Sequence, residues 1–208
     1  MALFRSYMQK TLLGVTSESQ NNFLLSQFTA WYAAQNDRVL SYSKTDYEAK
    51  FHEALYPSAS ERVLAEQPGI SAWRVWAEFL GWGWAMKFDG RDEMRIVPDA
   101  TERIRPLLPR LMPEANTNLP MGDFVANLGT LCPELDGGVL FSRCWEASRG
   151  SDDRGNQLSL MVSTALRVLH ASKEITLVER KDASVAFQLF PAQSHMSRVT
   201  DIRREIVT

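Results

Sequence analysis

The sequence predicts a mainly helical protein with small β-hairpins, built as two consecutive units of similar organisation. The 208 residues are 45% hydrophobic and 10% aromatic, which is enough apolar material to fill a packed core. Apolar residues recur at helical spacing in three stretches of each half. Each half then ends in a hairpin pattern that is closed by a proline, Pro98 in the first and Pro191 in the second.

The first unit is predicted to contain helices followed by a hairpin. Ser17 and Gln20 have capping-box spacing ahead of the first helix, and Pro57 stops the second. An Asp89-Gly90 pair is typical of a hairpin turn. The predicted helices run from 17 to an end within 35–38, over 46–56, and over 71–81. A further helical turn or two is predicted within 58–67, and strands are predicted over 84–88 and 94–97.

The second unit repeats the same order with almost no shared residues. Helices are predicted over 121–135, 139–148 and 157–171, and a hairpin over 175–179 and 184–190 with its turn at 180–183. The polar stretch 148–156 is predicted to be an exposed loop. The repeat is therefore one of pattern and not of sequence identity.

The segments between and around the units have their own signals. Residues 99–111 are predicted to be a linking helix, capped by Asp99 and bent or shortened by Pro106 and Pro109. Val199, Ile202 and Ile206 indicate a small terminal helix. The predicted division is an amphipathic arm over 1–16, a first unit with the linking helix over 17–113, and a second unit with the tail over 114–208.

Three helices followed by a two-stranded wing is the element order of the winged helix-turn-helix. The segments LGWGWAMKFDGRDEMRIVP and LHASKEITLVERKDASVAFQLFP, where each third helix runs into its wing, carry this likeness. Over about 17–98 and 120–191 the chain resembles tandem winged-helix proteins. That group includes transcription regulators, kite-type subunits of bacterial chromosome-organising complexes, and small subunits from bacterial anti-phage clusters. The resemblance implies a third helix in the DNA major groove and a wing on the DNA backbone.

The two third helices differ in what their outer faces offer to a nucleic acid. The helix over 157–171 has a polar stripe opposite its apolar face, with cations following it, and this pattern favours DNA contact or an ordinary solvated surface. The predicted DNA-binding residues are Ser159, Ser163, Arg167, His170, Lys173, Arg180 and Lys181. The helix over 71–81 is apolar around most of its circumference, so the first unit is predicted to pack or to dock proteins.

Aromatic and apolar residues near the start of the chain and in the first unit are the predicted protein contacts. The arm can pack on its own domain or insert into a partner or a second copy, and the tryptophans can belong to the core or to an interface. The predicted partner-binding residues are Leu3, Phe4, Tyr7, Met8, Trp73, Trp76 and Trp82.

Charge and motif content exclude several classes of protein. Residues 1–119 carry 13 basic and 14 acidic side chains, and residues 120–208 carry 10 and 11, so neither half is a basic module. No catalytic residue, metal site or cofactor is predicted, because nucleophile signatures, zinc spacing and phosphate-binding loops are absent from the sequence. Cys132 and Cys144 lack CxxC spacing, and no apolar run predicts a membrane span or a signal peptide. A reducing cytoplasm is expected.

These observations lead to one preferred hypothesis and two alternatives. The preferred hypothesis is a non-enzymatic subunit of a bacterial nucleoprotein or defence complex, whose first unit docks proteins and whose second unit contacts double-stranded DNA. The first alternative is a kite-type adaptor that never contacts DNA. The second is a stand-alone transcription regulator. A homodimer is compatible with each of these hypotheses.

Overall fold

A computed structural model describes residues 4–5, 7–8, 23–57, 67–88, 94–149, 155–192 and 196–206. The capping-box pair at Ser17 and Gln20, Leu3, the turn at Asp89-Gly90, and most of the predicted segments 58–67 and 148–156 lie outside these residues. The protein is a mixed α/β structure with small antiparallel sheets. This architecture is compatible with a winged-helix-like fold.

The helices of the first half lie close to their predicted positions. The second of them begins with a capping box, in which the Ser43 hydroxyl accepts from the Asp46 N–H and the Asp46 carboxylate accepts from the Ser43 N–H. A short 3₁₀ helix, Asn36–Leu40, separates the first two helices. The helices are α1 (Phe23–Ala34), α2 (Lys44–Leu55) and α3 (Gln67–Leu80).

The first predicted hairpin is confirmed. Strand β1 (Gly83–Lys87) pairs antiparallel with β2 (Met94–Pro98), and Ala85 lies opposite Ile96. Gly81 ends α3 with φ at 82°, a left-handed conformation that glycine adopts without steric penalty. This residue lets the chain turn directly from the helix into the strand.

The linking segment is helical but divided into three pieces. It contains α4 (Thr101–Ile104), a 3₁₀ turn (Arg105–Leu107) and α5 (Leu108–Leu111). Pro106 and Pro109 lack the N–H that a continuous helix needs, which explains the interruptions. The N-cap of α4 is Ala100 and not the predicted Asp99, which lies one residue earlier and accepts from the backbone N–H of Thr101 at 2.8 Å.

The second half begins with a short strand that the sequence did not predict. Strand β3 (Asn118–Pro120) leads directly into a helix that ends at Leu131 and not at 135, because Pro133 cannot continue it. The helices of this half are α6 (Met121–Leu131), α7 (Val139–Arg149) and α8 (Leu160–Ala171).

The predicted second hairpin and the predicted terminal helix are both wrong. Strand β4 (Ile175–Val178) pairs with β7 (Asp201–Arg204) from the tail, and β7 also pairs with β3, giving the sheet order β3-β7-β4. A separate two-stranded ribbon joins β5 (Phe187–Gln188) to β6 (Arg198–Val199).

The physical reason for this correction lies in the tail residue Ile202. It lies opposite both Leu119 and Leu177 and is fully buried, so the central strand contributes an apolar side chain and forms backbone hydrogen bonds on both sides. A spacing of three between Val199 and Ile202 fits a helix, but β-branched residues in a paired segment favour a strand. Ile206 is exposed and does not take part.

The two halves share one contiguous hydrophobic core. Helix α1 packs extensively against α7 of the second half, and α2 contacts α7 as well. An aromatic cluster fills the first half, with the ring of Phe28 4.9 Å from that of Trp73 and 5.0 Å from that of Phe51. The domain boundary at residues 113 and 114 stays a prediction. No helix in the described part of the chain is both long and apolar enough to cross a membrane.

Candidate functional site

Ser159 and Ser163, which the sequence places on a DNA-facing stripe of α8, are fully buried. The Ser159 hydroxyl donates to the Asp136 carboxylate and accepts from the Val162 N–H, and the Ser159 N–H donates to Asp136 at 2.8 Å. Ser159 is thus the N-cap of α8 and holds it to the loop after α6. The Ser163 hydroxyl accepts from the Phe190 N–H at 2.9 Å. Both hydroxyls are engaged inside the protein, so predicting them as base contacts was wrong.

Arg167 is also engaged with the protein itself. Its guanidinium donates to the carbonyls of Phe190 and Pro191, the second at 3.3 Å. Partial burial lowers the pKa of Arg167. Together with Ser163, this side chain fastens the segment that follows β5 onto α8, a segment that the helical projection of the sequence did not take into account.

The remaining predicted DNA-binding residues surround β4. His170 is half-buried, and its Nδ1 accepts from the Leu177 N–H at 3.3 Å. Arg180 forms an ion pair with Asp201, with Nε 2.8 Å from Oδ2. Lys173 and Lys181 are exposed. Of the seven predicted residues, the two lysines and the partly exposed Arg180 therefore point toward solvent.

Acidic side chains accompany these cations. Glu174 follows Lys173 and forms an ion pair with Arg105 at 3.0 Å. Glu179 and Asp182 flank Arg180 and Lys181 in the chain, and both are exposed. Carboxylates at this density repel a phosphate backbone, so the surface around β4 lacks the concentrated positive charge that DNA binding usually requires.

Two of the predicted partner-binding tryptophans belong to the core. Trp73 is buried, and its indole N–H donates to the Thr29 hydroxyl at 2.9 Å. Trp82 is fully buried, and its indole N–H donates to Glu134 at 3.3 Å. Predicting them as partner contacts was wrong, because each satisfies its polar atom and buries its ring within the chain. Trp76 is half-buried and packs edge-on against Phe79, with centroids 5.9 Å apart.

The described residues of the amino-terminal arm contact their own chain. The Phe4 ring lies 5.7 Å from that of Phe79, and Arg5 forms an ion pair with Glu102 at 2.8 Å. Met8 packs against the core, whereas Phe4 and Tyr7 remain largely exposed. These contacts favour the first of the two expectations for the arm, that it packs on its own domain.

A buried polar junction, which the sequence analysis missed, connects the two halves. Arg103 donates to Glu134 with Nε 3.0 Å from Oε1, and both side chains are almost completely buried. Trp82 donates to the same carboxylate oxygen. Burial lowers the pKa of Arg103, but the attraction of Glu134 and Cys132 and the hydrogen bond together outweigh it, so the net pKa is raised. No local motif signals this pair because its members are 31 residues apart.

Further polar contacts cross between the halves at the carboxyl end of α1. The Asn36 side chain accepts from the Leu160 N–H at 2.8 Å, and the Gln35 amide donates to the Ser148 hydroxyl at 3.0 Å. Arg149 donates to the carbonyls of Ala34 and Gln35. With the shared core, these contacts make the two halves one connected body.

The outer face of the first hairpin exposes an apolar stripe, Trp84 and Met86. Alternation along β1 puts these two side chains on one face, while Ala85 on the other face packs toward the core. Trp84 is 45% exposed and Met86 is 39% exposed. Val75 on α3 and Met94 at the start of β2 are also exposed, at 73% and 50%. A half-exposed tryptophan beside an exposed methionine on a hairpin is typical of a protein interface.

The third helix of each half makes the same contact with the strand that follows it. Glu78 of α3 accepts from the Ala85 N–H at 3.2 Å, and His170 of α8 accepts from the Leu177 N–H at 3.3 Å. Each acceptor lies seven residues before its donor, and each donor is the third residue of its strand. The two halves therefore share this helix-to-strand hydrogen bond, although the accepting residue is a glutamate in one half and a histidine in the other.

Other chemistry in the described residues is sparse. No group of three or more His, Cys, Asp or Glu side chains there is placed to hold a metal ion. Burial raises the pKa of each cysteine, Cys132 and Cys144, to about 12, so neither is a reactive thiol. A shallow cleft of about 430 Å³ lies between the amino end of α6 and the segment 180–187, and it contains Arg180 beside Asp182.

Comparison with known proteins identifies a family. No curated protein and no solved structure matches the chain. The family model described as DpdG-like matches residues 2–183, which is most of the sequence. The chain therefore belongs to the DpdG-like family, a family associated with defence.

Proposed function

We propose that this protein is a non-enzymatic docking subunit of a bacterial defence assembly, which binds a partner protein through the apolar stripe on its first hairpin. The observation that carries the proposal is the exposure of Trp84 and Met86 on the outer face of β1. In a protein whose other tryptophans are largely covered, this ring is the natural anchor for a partner. The family association with defence supplies the context.

Burial of the stripe by a partner would give a useful binding energy. Covering a fully exposed large apolar side chain yields about 1.5–3 kcal/mol, and Trp84 and Met86 are 45% and 39% exposed, so the two together supply about 1–3 kcal/mol of the roughly 8 kcal/mol of a micromolar interaction. The hairpin is held in place by α3, since Glu78 accepts from Ala85 and Arg74 donates to the Met94 carbonyl. A rigid hairpin loses little conformational entropy on binding.

The connection between the halves supports an adaptor role. The Arg103–Glu134 pair and the shared core join the first hairpin to the second half without a flexible linker. A subunit of this kind can hold two partners at a fixed separation. This is the arrangement expected of the kite-type alternative, in which DNA contact is not needed.

Co-purification tests the proposal directly. The tagged chain is expressed at native level in its own host, and the products of its defence gene cluster that co-purify are quantified. We expect Trp84→Glu combined with Met86→Glu to remove a stoichiometric partner. Val139→Glu combined with Val185→Glu is the matched control, because these valines are 62% and 54% exposed but lie in the second half. Equal loss with both pairs, or no loss with the first, would contradict the proposal.

DNA contact by the second half is the second candidate function. The exposed Lys173, Lys181 and Arg180 around β4 favour it. Fluorescence anisotropy with a labelled duplex, at about 50 mM and about 200 mM salt, measures affinity and its salt dependence. If DNA is bound here, alanine at these three positions lowers affinity and flattens the salt slope. Unchanged affinity, or no binding at the lower salt, would exclude this candidate.

A further inference from the structure

The outer edge of β1 is the edge opposite β2, and backbone groups of alternate residues point outward there. The Ala85 N–H donates to the Glu78 side chain and so points away from β2. The Trp82 carbonyl accepts from the Asp99 N–H, which shows that even-numbered residues here bond toward the second strand. In an antiparallel pair both backbone groups of a residue point the same way, so Gly83 and Ala85 turn their N–H and C=O groups outward.

No other described strand pairs with this edge, and it is accessible from Ala85 onward, because Gly83 is buried. Among the described strands, β2 alone pairs with β1, and the sheet ends there. Trp84 and Met86 are exposed beside the edge, and no proline interrupts the strand sequence GWAMK. Proteins usually protect such an edge, and here Gly83 is buried and the Glu78 carboxylate accepts from the Ala85 N–H, so a pairing strand must displace Glu78.

We infer that the outer edge of β1 pairs with the same edge of a second copy of this chain, antiparallel and with Ala85 at the two-fold axis. The result is a four-stranded sheet in the order β2-β1-β1-β2. The inference rests on the proposed role of the first hairpin as a docking element, and it names the partner that occupies the edge of that element.

Self-complementarity of the strand favours a second copy over an unrelated segment. With Ala85 opposite its own counterpart, Trp84 of one copy lies beside Met86 of the other on the outer face, a favourable sulfur–aromatic neighbour. The small Ala85 side chains leave room at the axis. A two-fold axis repeats each of these contacts, so each contributes twice.

Charge on the inner face is complementary as well. Lys87 shares the inner face of β1 with Ala85, two residues away, and the Glu78 carboxylate of α3 reaches the strand edge at Ala85. In the paired register, Lys87 of one copy lies diagonally across from Ala85 of the other, within reach of the partner copy's Glu78. Pairing moves Glu78 from the Ala85 N–H to this lysine, while the Ala85 N–H donates to the backbone of the other copy.

The paired edge leaves the outer face of the sheet open. The apolar stripes of the two copies then lie side by side on one surface of four exposed side chains. A dimer formed in this way presents a larger docking surface for the proposed partner than a monomer does.

Sedimentation velocity over a concentration series tests the inference on the full chain. The wild type is expected to form a dimer. Ala85→Pro is expected to weaken it by about 100-fold or more, because proline removes the outward N–H at the axis in both copies. The inward hydrogen bonds to β2 do not use this N–H, and circular dichroism reports whether the variant is folded.

A charge exchange provides an independent measurement if the proline variant does not fold. Glu78→Lys alone and Lys87→Glu alone are each expected to weaken the dimer about tenfold, and the double variant is expected to restore it. A wild type that stays monomeric, or a dimer that neither Ala85→Pro nor the charge exchange changes, would overturn the inference. A monomer that still captures a partner through Trp84 and Met86 would leave the proposed function intact.

Discussion

Substitution of Arg103 is expected to lower the free energy of unfolding more than loss of any surface ion pair does, because it leaves a buried carboxylate without its charged partner. The Glu134 side chain is fully buried, and the Arg103 side chain is 6% exposed. After Arg103→Met, the Glu134 carboxylate keeps the Trp82 indole at 3.3 Å as its remaining described side-chain donor. Leaving one member of a buried pair uncompensated costs about 3–5 kcal/mol.

Equilibrium urea unfolding followed by tryptophan fluorescence measures this loss. With an m value of about 2 kcal/mol/M, the midpoint is expected to fall by about 1.5–2.5 M. Arg5→Met is the matched control, because its partner Glu102 is exposed, and it is expected to cost less than about 1 kcal/mol. Arg103→Met with Glu134→Leu is expected to recover most of the loss, since no buried charge remains.

Two results would refute this reasoning. An effect of Arg103→Met as small as that of Arg5→Met would mean that the junction is solvated in solution. A double variant as unstable as the single one would mean that the loss comes from packing and not from the stranded charge.

Four further predictions concern stability and reactivity. Ser159→Ala is expected to lower the free energy of unfolding by about 1–3 kcal/mol without changing affinity for duplex DNA, and a DNA effect at unchanged stability would contradict its assignment as a buried cap. Both cysteines are expected to resist alkylation at neutral pH in the folded protein and to react fully in denaturant, as followed by mass spectrometry. Since folding raises the thiol pKa values from 9.0 to about 12, their contribution is fully present below pH 9 and is lost as pH rises toward 12. Unfolding measured from pH 8 to 11 is therefore expected to show falling stability, with a smaller fall in a Cys132→Ala, Cys144→Ala variant; equal falls would exclude the thiols as the cause. Ser43→Ala is expected to cost about 1 kcal/mol through loss of the capping box, and a Ser43→Asp variant is expected to retain most of the stability.

The helices and the first hairpin were predictable because their signals are local. Helical spacing, the proline at 57, and the Asp89-Gly90 pair between the two strands all act within a few residues of the element they define, whereas the stop at Pro133 was overlooked. The sheet of the second half depends on a contact between β4 and a strand more than 20 residues later. The sequence analysis paired this strand with residues 184–190, the next segment in the chain with a strand pattern. No residue near β4 in the sequence indicates that the tail is its partner.

The candidate DNA stripe shows why helical projection alone misassigned residues. The projection correctly separated one face of α8 from the other, but it took the polar face to be exposed. Phe190 and Pro191 pass over that face, and Ser163 and Arg167 satisfy their backbone groups. Polar side chains opposite an apolar face can therefore form hydrogen bonds either to another segment of the same chain or to a ligand. The sequence of the helix does not distinguish these two cases.

Equivalent contacts in the two halves explain why the repeat is visible as a pattern but not as residue identity. The contact at the third residue of β1 and of β4 needs an acceptor on the preceding helix, and a carboxylate at Glu78 and an imidazole nitrogen at His170 both supply one. Each of these two strands has one strand neighbour in the described structure, β2 for β1 and β7 for β4, and the sheet of the second half continues from β7 to β3. The first hairpin differs in its exposed apolar side chains, Trp84 and Met86. Both halves thus place an edge strand beside their third helix, and the first half differs by the apolar stripe that another protein chain can cover.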